Sequence, residues 1–200
     1  PELMIVITIL AVFIMESIST YRPLTYITTI IGLIFAGVLL MISSSSTNLL
    51  FEGMIINDSL AIFFKWLILL STLSIVLISR DDGSVLDEVK GEYYAMLLII
   101  TLGMFAMVSA KNLLMVYLAI EMVSIPSYII AGISKNDRES NEASLKYVIY
   151  GSFASGIMLF GLSFLYGIAG SLDINVVASK LSSFDSSLTV YMVIIFILVG

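Results

Sequence analysis

Run after run of this chain, about twenty residues long or longer, carries at most two charged side chains. That spacing limits the possible folds more than any other feature of the sequence. The runs are Leu24–Ile42, Ser59–Ser79, Tyr93–Ala110, Leu113–Gly132 and Ser140–Gly167. A helix needs about 20 apolar residues to cross a bilayer. Hydrocarbon offers no water to the backbone, so the segments that cross must pair their own N–H and C=O groups, as helices do. The reading is an all-α, polytopic helical membrane protein with about seven transmembrane helices, and its first partner is the lipid bilayer. Composition agrees. Of 200 residues, 60% are hydrophobic and 12% charged, where a soluble domain has about a quarter charged.

Composition also removes several kinds of chemistry. The chain has no Cys and no His. That excludes thiolate iron–sulfur ligation, His-ligated haem and the common zinc sites within it. No glycine-rich phosphate loop appears. The net charge of -6 resides in the loops and gives no signal for nucleic acid. No metal and no cofactor is expected in this chain. Carboxylates, lysines, hydroxyls and water remain.

Leu3 to Met15 is short for a span and reads as a helix cut at its N-terminal end, or as an interfacial segment. The chain starts at Pro1 and stops at Gly200 inside an apolar run, which reads as a piece of a longer protein. Glu2 stands where a secretory signal would be positive. After the Leu24–Ile42 helix, the serine run from Ser43 competes for backbone hydrogen bonds and ends it. A loop through Glu52, Gly53 and Asp58 follows. Lys65 lies in the Ser59–Ser79 helix, roughly 9 Å from its start. It reads either as a lysine snorkelling to the interface or as a buried lysine on an ion path. Arg80 to Glu92 is a charged, solvated loop with a turn at Asp82-Gly83.

Lys111-Asn112 is nearly all that separates the fourth and fifth helices, which must form a tight antiparallel hairpin. In the fifth helix Pro126 removes one backbone donor and frees the carbonyl of Met122. Ser124 and Ser127 are the hydroxyls near enough to help. Ser140 reads as the N-cap of the sixth helix. Gly151, Ala154, Ser155, Gly156 and Gly161 allow close helix packing along it. Val176, Val177 and Leu181 offer one apolar face for a short interfacial helix, and a seventh span starts near Ser187. Loops one, three and five hold Arg22, Arg80, Lys90, Lys135 and Arg138, while the others hold only Lys111 and Lys180. The positive-inside rule then puts the N-terminus outside.

Two residues call for a functional explanation. Glu121 is the single charge between Asn112 and Ser134, near mid-membrane, and Lys146 opens an uncharged run to Gly170. Charges inside a span usually mark ion paths. Burial pushes an acid and a base toward neutrality, and proximity pushes both back toward charge, a balance suited to a proton relay. The other reading is a structural pair that fixes helix packing. Tyr117, Ser124, Tyr128, Tyr147, Tyr150 and Ser152 are hydroxyls that can continue a hydrogen-bonded path or serve packing alone.

These same residues resemble a known family. Leu118-Ala-Ile-Glu-Met-Val-Ser-Ile-Pro-Ser-Tyr128, Glu142-Ala-Ser-Leu-Lys-Tyr147, Gly151-Ser-Phe-Ala-Ser-Gly156 and Leu165-Tyr-Gly-Ile-Ala-Gly-Ser-Leu172 are similar to subunit N of the proton-pumping NADH–quinone oxidoreductase, respiratory complex I. Asp58-Ser-Leu-Ala-Ile-Phe-Phe-Lys65 and Gly91-Glu-Tyr-Tyr94 fit as well. The resemblance runs from about Asn57 onward.

The resemblance implies an antiporter-like fold. Residues 1–92 would hold helices 1–3, and residues 93–200 would begin the proton-translocation module. It implies a proton-translocating membrane-arm subunit coupled to quinone reduction elsewhere, with other membrane-arm subunits as partners. Glu121 matches the family's fifth-helix glutamate and Lys146 its sixth-helix lysine; Lys65, Pro126 and Tyr147 are accessory candidates. The implied location is a bacterial inner (plasma) membrane, with mitochondrial inner and thylakoid membranes as alternatives. A sodium/proton antiporter subunit with the same helix plan is the alternative function.

Overall fold

The computed structural model describes residues 1–18, 23–42, 46–50, 53–80, 89–182 and 187–200. Helices α1 (Glu2–Ile18) and α2 (Pro23–Ile42) come first. Strands β1 (Ser46–Leu50) and β2 (Ile55–Asn57) follow, and then helices α3 (Ser59–Ser79) and α4 (Lys90–Val108). The remaining helices are α5 (Leu113–Ala131), α6 (Arg138–Ala169), α7 (Ile174–Ser182) and α8 (Ser187–Val199). Five of them, α2 to α6, are long and apolar enough to cross a membrane. The chain is a multi-pass integral membrane protein. Arg22, Ser43–Ser45, Glu52, the Asp82-Gly83 turn and Asp185 lie outside the described residues.

Helix α1 runs alongside α2 and α4. Its 17 residues make about 26 Å of helix at 1.5 Å per residue. Ile5, Ile9 and Val12 recur at helical spacing and are buried. They meet Leu33 and Ala36 of α2, Leu69 and Val76 of α3, and Tyr94, Ala95, Leu98 and Phe105 of α4 in one core. A second core joins Leu162, Leu165 and Ala169 of α6 to Val177 of α7 and Val193 of α8. Helix α5 lies between α4 and α6 and touches both. The outward faces carry large apolar side chains such as Phe63, Phe153 and Leu198, which suits hydrocarbon.

Small residues set the helix spacing. At Gly103 of α4 an added Cβ would stand 3.0 Å from Met122 Cβ and 3.2 Å from the Ala119 carbonyl oxygen of α5. Gly161 of α6 faces Phe196 and Ile197 of α8 in the same way. Without water to drive association, such close approach is what holds helices together in a bilayer.

The loop expected between α2 and α3 contains a short antiparallel hairpin, in which Leu50 pairs with Ile55 and Ser46 with Asn57. Its backbone continues outward. Ile56 N–H donates to the Ser109 carbonyl at 2.8 Å, and Lys111 N–H donates to the Met54 carbonyl at 2.8 Å. Leu113 N–H donates to the Leu172 carbonyl at 2.9 Å. The hairpin, the α4–α5 turn and the α6–α7 connection are thereby stitched together at one end of the bundle, called here the hairpin end. Periodicity reasoning sees helices and misses this ridge, because its residues bond through the backbone and have no distinctive side-chain pattern.

Caps fix two helix starts. Asp58 accepts from Ala61 N–H at 2.7 Å and opens α3. Asp58→Ala is expected to cost about 1 kcal/mol, measured as a lower thermal midpoint of the purified protein. The expected cap of α6 is corrected. Asp137 occupies that place and accepts from Glu139 N–H at 3.1 Å. Ser140 lies inside α6 and donates to the Ala131 carbonyl at 2.9 Å. A carboxylate one turn earlier captured the free N–H group, which left the serine for the α5 contact. In α7, Val177 is buried and Leu181 packs on the second core, but Val176 is exposed.

Candidate functional site

Glu121 is eight residues into α5 and ten before its end. At 1.5 Å per residue that is about 12 Å from the hairpin end and about 15 Å from the other. The side chain is half-buried, and its Oε1 is sealed from solvent with no hydrogen-bond partner among the described residues. The carboxylate lines a cavity of about 520 Å³ with Met96, Met115, Met122, Ile125 and Pro126. Every other lining side chain is apolar. A carboxyl oxygen shut off from water and left unpaired costs several kcal/mol by general estimates. Such a group is stabilised by whatever brings it a proton, a hydroxyl or a cation. One turn earlier on α5, the Tyr117 hydroxyl interacts with the Glu121 carboxylate and with Ser155 of α6.

Pro126 is buried within α5, and the helix continues through it. Ser127 donates to the Val123 carbonyl at 2.7 Å. That bond is next to the carbonyl of Met122 that the proline leaves free. A hydroxyl bonding back one turn often accompanies bending in a helix.

Lys146 is at similar depth, eight residues into α6 or about 12 Å from the end opposite the hairpin. The structure does not bring it to Glu121. Lys146 Nζ bonds Glu142 Oε1 at 2.6 Å, and its side chain is 64% exposed. No ion pair between Lys146 and Glu121 occurs among the described residues. Helical geometry gives the reason. Ser140, Ser144, Tyr147 and Gly151 form the stripe of α6 that meets α5. Ser144 donates to the Tyr128 carbonyl at 2.9 Å, and Gly151 abuts the Tyr128 hydroxyl. At 100° per residue, Lys146 is about 130° around the helix from that stripe. Their orientation around the helices, rather than their depth, separates the two residues.

Tyr147 belongs to the α5–α6 contact. Its ring meets Tyr128 edge-on, with centroids 4.7 Å apart and planes at 73°. Its position accounts for packing between the two helices.

Lys65 is the surprise. Its side chain is buried in the first core, at 1% exposure for the residue. Snorkelling to water is therefore not its arrangement. Nζ donates to Glu2 Oε1 at 2.5 Å and to Asn57 Oδ1 at 3.0 Å. The same nitrogen is 5.9 Å from the centroid of the Phe105 ring, inside cation–π range. Sequence reasoning passed over Glu2 and Asn57. The available signal was topological: α1 and α3 both start at the hairpin end, so an acid at one start and a base early in the other lie at matching depths.

Among the described residues, no cluster of three or more His, Cys, Asp or Glu forms a metal site.

Known proteins resemble this chain in sequence and fold. Residues 110–200 match the sequence model described as NADH:quinone oxidoreductase/Mrp antiporter, transmembrane. NADH-quinone oxidoreductase subunit N of Anaeromyxobacter sp. (strain Fw109-5) is 47% identical over 148 residues, covering 74% of this chain and 29% of that protein. NADH-quinone oxidoreductase subunit N 2 of Chloroherpeton thalassium is 44% identical over 161 residues, covering 78% and 31%. Among solved structures, respiratory complex I from Thermus thermophilus with bound aureothin contains a chain that superposes with a TM-score of 0.77 at 25% identity. That match covers 100% of this chain and 42% of the other. A chain of the membrane-bound sulfane sulfur reductase, an archaeal respiratory membrane complex, superposes with a TM-score of 0.80 at 19% identity and shows the shared fold. The chain spans about a third of the length of the curated relatives it matches. Its helix order and these likenesses agree: the chain belongs to the family of NADH-quinone oxidoreductase subunit N, the antiporter-like membrane subunits of complex I.

Proposed function

We propose that the protein carries protons across a membrane as part of an NADH–quinone oxidoreductase, with Glu121 as the group that takes up and releases the proton. The observation that carries this reading is the Glu121 carboxyl oxygen, unpaired and shut off from water at mid-depth in an apolar cavity. A structural acid would be expected to have both oxygens paired, whereas here the Tyr117 hydroxyl interacts with the carboxylate and Oε1 is left over. Tyr117 and Ser155 supply hydroxyls on the α6 side of the carboxylate. The protein acts as a translocating subunit, and electrons move in other subunits of the complex, which are its partners. A bacterial inner membrane with the N-terminus outside fits the basic loops.

Lys146 acts as a separate station. It faces away from α5, and Glu142 is its partner one turn earlier. An exposed i,i+4 pair contributes only about 0.2–0.5 kcal/mol, so the lysine is free to exchange that partner for a group packing on this face of α6. Lys146→Ala is expected to leave assembly unchanged and to lower NADH-driven proton uptake. Loss of assembly with unchanged uptake per assembled complex would make it a structural residue.

Purification of the tagged full-length protein in mild detergent tests the function. Co-purifying iron–sulfur and membrane subunits with NADH–quinone activity are expected. Small hydrophobic partners without that activity, together with sodium/proton exchange in vesicles, would make it an antiporter subunit.

A further inference from the structure

Lys65 and its partners form a second buried ionisable site, at the far side of α4 from Glu121. Lysine is found fully buried only when paired. Here the pairing is built from three elements: Glu2 from α1, Asn57 from β2 and Phe105 from α4. Among the described residues, Glu2 is the only acid within 4 Å of Nζ. The two carboxylate-side and amine-side environments differ sharply. The Lys65 side chain is 2% exposed and that of Glu2 is 41% exposed. The acid stands between the dry amine and the hairpin end, where α1 begins. Below Lys65 the buried stripe of α3 continues through Leu69 to Thr72, whose hydroxyl meets that of Thr101 of α4 at 2.9 Å.

We infer that Lys65 and Glu2 form a proton-exchange site that serves the hairpin end of the membrane. It deepens the proton-carrying reading given above and rests on it. In the exchange, an Nζ–H bond breaks and a Glu2 Oε1–H bond forms. A charged pair becomes a neutral amine and a neutral acid. The acid then gives its proton to water at the hairpin end; in the reverse direction Glu2 takes a proton from a hydronium ion there and passes it to Nζ, which restores the charged pair. The short Nζ–Oε1 contact provides the line for the transfer. Asn57 Oδ1 can accept from the amine in both states, and the Phe105 ring adds its attraction in the charged one. Lysine suits this task because an amine can give up a proton, whereas arginine stays charged in proteins.

The competing role is a permanent clasp between α1 and α3, and arginine separates the two. The test uses the assembled complex in vesicles, with full-length protein carrying Lys65→Arg, Lys65→Gln or Glu2→Gln, and Glu121→Gln as a reference. Assembly is read from subunit content, and proton uptake is read with NADH as the energy source. The proposal expects Lys65→Arg to assemble at wild-type levels while proton uptake falls at least about tenfold, a threshold set below the roughly 10²–10⁴-fold that a positioned proton-transfer group contributes. Glu2→Gln should show the same split. If Lys65→Arg restores both assembly and uptake that Lys65→Gln has lost, the site is a clasp and the proposal fails. Should the arginine variant fail to assemble, Glu2→Gln decides: normal uptake per assembled complex overturns the proposal. Glu121→Gln keeps the two claims apart. Loss of uptake there with normal uptake in the Lys65 and Glu2 variants removes the second site alone. Normal uptake in Glu121→Gln removes the broader reading.

Discussion

Glu121→Leu is expected to leave the protein assembled at wild-type levels or above, and to lower NADH-driven proton uptake by about 10²-fold or more, the usual contribution of a positioned proton-transfer group. The two halves of this result have separate causes. The leucine enters a cavity already lined by Met96, Met115, Met122, Ile125 and Pro126. It also removes an oxygen that the fold leaves unpaired. Replacing an unsatisfied buried polar group by an apolar one of similar size is neutral or stabilising. Stability gained where function is lost is the signature of a site that holds strain for its task. The check is subunit content of the purified complex beside proton uptake in vesicles. A fall in both together would place Glu121 among the packing residues.

Gly151→Val is expected to remove the protein from the assembled complex. The space a Cβ needs at Gly151 is occupied by the hydroxyl and ring of Tyr128. Tyr128 has nowhere to go: it is buried, its ring is edge-on to Tyr147, and Ser144 holds its carbonyl. Overpacking of this kind costs about 1–3 kcal/mol or more, enough to separate α5 from α6. Gly156 and Gly167, on the same helix, have open space around them. Gly156→Val and Gly167→Val should therefore assemble normally, which makes them controls for helix propensity. Tyr128→Phe should partly rescue Gly151→Ala, because the hydroxyl is the nearest obstruction. The readout is the amount of subunit retained after solubilisation.

Much of the fold was legible because the bilayer imposes so strict a rule. Long uncharged runs give helices, and the boundaries of α3 and α5 follow from Asp58 and Asn112, whose side chains accept from backbone N–H groups at the helix starts. The hairpin at Ser46–Asn57 was not legible. It is held by backbone bonds to Ser109 and Lys111, and those depend on where α4 ends in space. The site was legible in part. Isolation in an apolar run singles out Glu121 and gives its depth. Depth alone cannot say which way a side chain faces, and Lys146 shows the consequence. Its neighbours Ser144 and Tyr147 take the α5 contact, so it turns outward. Lys65 shows the reverse. A lysine two turns into a helix has two arrangements open to it, and the choice was made by Glu2, sixty-three positions away in sequence.

The account rests most directly on Glu121 as a proton carrier, and the proton-to-electron ratio tests it most directly. The measurement compares wild type with Glu121→Gln in sealed vesicles driven by NADH, with uptake normalised to electrons delivered to quinone. Glutamine keeps the shape and removes the titrating group. The account predicts an assembled complex whose proton uptake is lost or falls well below wild type. An unchanged ratio at unchanged turnover would contradict it and leave Glu121 a structural acid.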